Sequence, residues 1–218
     1  MGADTQLPVL PLATAPAGGQ AALLHRARLL ARVGLGWHVI EAAVAIGAGV
    51  VASSVALVGF GADSLVEVLA GVVILWLASG ARTASSAAER RAQQLIAASF
   101  VLLAAYIGVE AARHLIGGHH PDASWVGIGL AVVTLATMPP LAIAKRRVGE
   151  RLHSSAMASE SRQTLICAYL SAGLLVGLLA NAVAGWWWAD PVVALGIAGV
   201  AVREARDAWR GESCGCCS

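Results

Sequence analysis

Six apolar runs joined by short connections leave this chain little choice of fold. They cover about Val33–Ser53, Ala56–Ser79, Leu95–Ile116, Trp125–Ala144, Met157–Ala184 and Trp186–Val202. A helix needs roughly 17–25 mostly apolar residues to cross a bilayer. In hydrocarbon, every backbone N–H and C=O must be bonded within the segment or to a neighbouring one. The sequence therefore predicts an all-α, polytopic membrane protein, a bundle of six transmembrane helices. Composition agrees, with 58% hydrophobic and 13% charged residues over 218 positions, against about 25% charged in a soluble domain. The lipid bilayer is then the chief partner. The net charge of +2 is too small, and its basic residues too dispersed, for nucleic acid to be another.

The connections set the topology. Arg26, Arg28 and Arg32 precede the first span; Arg82, Arg90 and Arg91 separate the second and third. Lys145, Arg146, Arg147 and Arg151 separate the fourth and fifth; Arg203, Arg206 and Arg210 follow the sixth. With six spans, these thirteen of the fifteen basic residues fall on one side, and the positive-inside rule makes that side cytoplasmic. Trp125 and Trp186–Trp187–Trp188 fall at the opposite interface, where amphipathic rings settle. We read residues 1–32, rich in Pro, Ala and Gly, as a disordered cytoplasmic segment. Residues 33–207 read as the transmembrane domain and 208–218 as a cytoplasmic Cys-rich tail. No signal peptide is expected, because the first basic residue is Arg26 and the span that follows holds His38 and Glu41. The expected setting is a bacterial inner (plasma) membrane with both termini cytoplasmic.

The spans are not uniformly apolar. Asp63 and Glu67 stand on one face of the second, one turn apart. A carboxylate at the bilayer centre costs on the order of 3 kcal/mol, so two on one stripe point to a positively charged ligand. The fifth span carries Glu160, Gln163, Cys167 and Ser171 at the 3-then-4 spacing of one helical face, with Thr164 beside them. If the two stripes meet in the bundle, Asp63, Glu67, Gln163 and Cys167 offer two carboxylates, an amide oxygen and a thiolate. Zinc takes carboxylate and thiolate in a tetrahedral set, and thiolate suits other soft ions.

Other polar positions have plainer readings. Glu110 and Arg113, at i,i+3 near an interface, read as an ion pair. His38 and Glu41 read equally as an inner metal vestibule or proton relay and as a structural contact with Arg162 or another helix. Cys167 alone would be a small buried apolar residue; its place on the stripe is what makes it a candidate ligand. His119 and His120 read as an exposed polar turn sooner than as a capture site. Small-residue pairs such as Ala45 with Gly49 and Gly173 with Gly177 allow close helix approach.

The stretch Ser54-Val-Ala-Leu-Val-Gly-Phe-Gly-Ala-Asp63-Ser-Leu-Val-Glu67 resembles the second transmembrane helix of the cation diffusion facilitator family, which carries an Asp-x-x-x-Asp pair there. Trp188-Ala189-Asp190-Pro191 resembles that family's lead-in to the sixth helix. The resemblance places the fifth-helix half of the metal pair on Gln163 and Cys167, where the family has His or Asp and then Asp. Glu160, one turn away, is the substitute for Gln163. The resemblance implies efflux of a divalent transition metal in exchange for protons. It makes zinc the first candidate, with cadmium, cobalt and nickel also compatible, and it implies a homodimer. The family's usual cytoplasmic domain has no counterpart after Arg210, so a membrane-only branch, such as the vesicular zinc-binding membrane proteins, is the nearer likeness.

Cys214, Cys216 and Cys217 put three thiols in the last five residues. On a tail facing a reducing cytoplasm they read as a soft-metal clamp sooner than as disulfide partners. No nucleophile–base pair, phosphate loop or cofactor motif suggests an enzyme. The alternative to a transporter is a membrane protein that binds or senses metal without moving it.

Overall fold

A computed structural model of the chain describes residues 17–77, 86–152 and 155–210. They form six helices and, among the described residues, no strand: α1 Ala17–Ala52, α2 Val55–Leu77, α3 Ser86–Gly117, α4 Trp125–Leu152, α5 Ser155–Ala184 and α6 Ala189–Arg210. Five, α1 to α5, are long and apolar enough to cross a membrane. The sixth is as long as a span, but Arg203, Glu204, Arg206, Asp207 and Arg210 crowd its last two turns. Outward faces are apolar, as at Val39, Ile40, Leu102 and Val176, which suits contact with lipid.

The helices overrun the apolar runs. Hydropathy reports the length that lies in lipid, while hydrogen bonding carries a helix on into water. The reading of residues 1–32 as disordered is therefore corrected for residues 17–32, because α1 is helical from Ala17, while residues 1–16 lie outside the described residues. Its first turns are held by apolar packing of Ala27 and Leu30 on Val148 and Leu152 of α4. Cys214, Cys216 and Cys217, like the rest of 211–218, lie outside the described residues.

Helix α2 is central, packing on α1, α3 and α6 and touching α5 lightly; α4 lies along α5 and α1. Leu57, Phe60, Ile107, Leu174 and Ile197 are buried at the heart of the bundle. α1 and α2 form a tight hairpin. Ser53 turns the chain at positive φ, 53°, and the Ser54 amide donates to Gly49 O at 2.9 Å. The hairpin closes on small residues. A Cβ at Gly49 would lie 2.7 Å from the Val58 amide nitrogen, and one at Gly61 2.9 Å from that of Ile46. Of the pair Gly173 and Gly177, only Gly177 lies at a close contact, with Val193 of α6.

Asp190, in the first turn of α6, caps α2. Its Oδ2 accepts from the Val55 and Ala56 amides at 2.9 and 3.2 Å, and its Oδ1 accepts from the Ser54 hydroxyl. Ser54 Oγ in turn accepts from the Leu57 amide at 3.1 Å. The first amides of a helix have no partner of their own, and here a second helix supplies one.

Candidate metal centre

Four helices bring polar side chains to one buried point. His38 and Glu41 come from α1, Ser64 and Glu67 from α2, Thr134 from α4, and Gln163 and Cys167 from α5. The hairpin sets the depth: Glu41 stands thirteen residues before Ser54 and Glu67 thirteen after it, so equal helical rise brings both to one level.

The two glutamates are held differently. Glu41 is fully buried and its oxygens are saturated. Oε1 accepts from Thr134 Oγ1 at 2.6 Å and Trp37 Nε1 at 3.3 Å. Oε2 accepts from Ser64 Oγ at 2.9 Å and the Cys167 thiol at 3.6 Å, and meets His38 Nδ1 at 3.2 Å. Glu67 Oε1 accepts one bond, from Gln163 Nε2 at 2.8 Å. Its Oε2 faces His38 Nδ1 at 2.8 Å yet has no aligned hydrogen bond among the described residues. One imidazole nitrogen can direct a single hydrogen to one of two crowding carboxylates. A buried carboxylate oxygen left over in this way costs free energy that a cation would recover.

His38, Glu67 and Cys167 each present a ligand atom, all within 4.8 Å of one another and all buried. Imidazole nitrogen, carboxylate oxygen and thiolate sulfur form a donor set suited to zinc and its neighbours. Glu41 borders that set, meeting the His38 Nδ1 that also faces Glu67 and accepting from the Cys167 thiol.

Of the residues singled out from sequence, Glu67, Gln163 and Cys167 are brought together. Asp63 is buried one turn from Glu67, outside the group within 4.8 Å. Glu160 does not reach the centre and instead lies 3.3 Å from Lys145 Nζ of α4. That corrects two readings, because Lys145 is a buried helical residue, not a loop cation. Its ammonium also donates to Thr164 Oγ1 at 3.1 Å, and Gly34 of α1 leaves room for it, since a Cβ there would lie 2.8 Å from Nζ. His38 and Glu41, left open by sequence, contact α2, α4 and α5 rather than Arg162. Glu110 and Arg113 pair at 2.8 Å as expected.

Residues 32–210 match the family described as the cation efflux transmembrane domain. The chain belongs to the cation efflux family. This bears out the resemblance carried by Asp63, Glu67 and Trp188–Pro191. The cation efflux chain is also similar to an uncharacterized transporter of Synechocystis sp., 29% identical over 179 residues that make up 78% of this chain and 58% of the relative. The chain thus spans a little over half the length of the curated relative it matches.

Proposed function

We propose that this cation efflux protein carries a divalent transition-metal cation, zinc foremost, out of the cytoplasm in exchange for protons. The observation that supports it most is the convergence of His38, Glu67 and Cys167 from three helices at the middle of the bundle. A divalent ion there would meet the Glu67 oxygen that faces His38 without an aligned hydrogen bond and offset the negative charge of the two glutamates. Gln163 steers Glu67, and Asp63, one turn away, serves the ion as it moves on.

Proton exchange follows from the ligands. Carboxylate, thiolate and neutral imidazole bind metal only when deprotonated, so protons and metal compete for the same atoms. A centre facing the cytoplasm releases protons as it takes metal; facing a more acidic exterior, it does the reverse. Rocking of helices around a fixed midplane site would complete the cycle. Both termini face the cytoplasm of a bacterial inner membrane in this reading, and the Cys214–Cys217 tail gathers soft ions before they enter.

Purified protein in proteoliposomes tests this. With a pH gradient, zinc should accumulate in the acidic compartment and the gradient should dissipate as it does. Zinc binding without flux would overturn the proposal in favour of a sensor.

A further inference from the structure

A second cluster of ligand-bearing side chains lies far from the central group, at the end of the bundle that carries the α1–α2 and α3–α4 turns. Tyr106, Glu110 and His114 follow each other at i,i+4 along one face of α3, and that face lines a shallow pocket of about 200 Å³ closed by Ser53 and Ser54. His119 folds back over the end of α3. Its amide donates to His114 O at 3.1 Å, and its ring stacks on His114 with centroids 4.9 Å apart. Gly117 permits this, since a Cβ there would lie 2.8 Å from His119 Nδ1. Gly118, at positive φ of 60°, makes the turn.

We propose that Glu110, His114 and His119 form a second divalent-cation site. His114 Nδ1 is buried and has no hydrogen-bond partner among the described residues, although burying an imidazole nitrogen without one is costly. Glu110 one turn back gives the i,i+4 pair that lets two helical side chains share one ion. It spends one oxygen on Arg113, whose side chain is 71% exposed, a weak pairing, and its other oxygen has no hydrogen bond among the described residues. His119 is exposed on a glycine turn beside His114, and sharing an ion would require its ring to leave the stack. Two imidazoles and a carboxylate match a zinc- or cobalt-type donor set. The site is distinct from the central one, because Ser54 at its edge stands thirteen residues along α2 from Glu67, about 20 Å of helix. Binding here does not depend on the transport proposal. The role we assign, a staging point for an ion between the bundle and the solution beyond, does rest on it.

Cobalt(II) is the probe, in equilibrium dialysis of the full chain in detergent with absorption spectra recorded alongside. His114→Ala/His119→Ala should bind one cobalt fewer per chain than wild type, with thiolate-to-cobalt absorption in the near ultraviolet unchanged. An unchanged cobalt count in the double variant overturns the site. So does a loss of thiolate absorption in parallel, which would mean that the histidines support the whole bundle. Failure of the central reading has a separate signature: with Cys214, Cys216 and Cys217 replaced by Ser, Cys167→Ser would leave the thiolate absorption unaltered.

Discussion

His38 and Glu67 meet across the α1–α2 hairpin with Nδ1 2.8 Å from Oε2, and the same nitrogen stands 3.2 Å from Glu41. The two carboxylates around it are unequal. Glu41 is satisfied by donors from α1, α2, α4 and α5, while Glu67 keeps an oxygen for something else. On the proposed reading, that asymmetry makes Glu67 the metal ligand and Glu41 a positioning residue.

Glu41 should therefore be replaceable only at a cost to the fold. Glu41→Ala would strand the Thr134 hydroxyl and the Trp37 indole without an acceptor, at about 1–3 kcal/mol for each buried group left unpaired, and leave the Ser64 hydroxyl only its bond to Phe60 O. A clear fall in the thermal midpoint in detergent is expected. Glu41→Gln keeps the volume and one acceptor. It should fold, yet bind zinc about 10- to 100-fold more weakly, as loss of a hydrogen-bonding group around a metal's ligands does. Zinc titration with a competing chelator measures it, and wild-type affinity in Glu41→Gln would contradict the assignment.

Much of this centre was legible in the sequence. Asp63 and Glu67 announced the polar face of α2, and the 160–163–167 stripe announced that of α5. What spacing could not say was how far α5 is turned. The choice between Gln163 and Glu160 is made by Lys145 of α4, which draws Glu160 away. Lys145 itself was misread because it follows an apolar run and precedes two arginines, which look like a loop until the helix is seen to continue to Leu152. His38 was harder still. Its i,i+3 relation to Glu41 names no partner helix. The clue was the hairpin at Ser54, which puts Glu41 and Glu67 at equal distances from one turn. Trp188–Pro191 was recognised as a motif, but the work of Asp190 on residues 54–56 is a long-range contact that no local pattern reveals.

Cys167 should decide which ions are preferred. Thiolate favours soft cations, so Cys167→Ser should lower cadmium affinity by more than zinc affinity, with a cadmium loss of about tenfold or greater. Competition between the two ions for purified protein reads the ratio directly. An unchanged ratio would remove the thiol from the ligand set.

Asp190 should matter for stability and not for ion choice. Asp190→Ala leaves two α2 amides and the Ser54 hydroxyl without their acceptor, a loss of about 2 kcal/mol by comparison with helix caps and buried hydrogen bonds. The variant should unfold at lower temperature and keep the wild-type order of metal affinities. A change in that order would place Asp190 in the ion's path.

Zinc flux by Glu67→Ala is the most direct test of the central claim. In proteoliposomes with a pH gradient, and with circular dichroism matching wild type, flux should fall to the level of protein-free vesicles, and Asp63→Ala should reduce it as well. Zinc transport by Glu67→Ala at the wild-type rate would contradict the account, because a buried carboxylate oxygen with no aligned hydrogen bond among the described residues would then have no part in moving the ion.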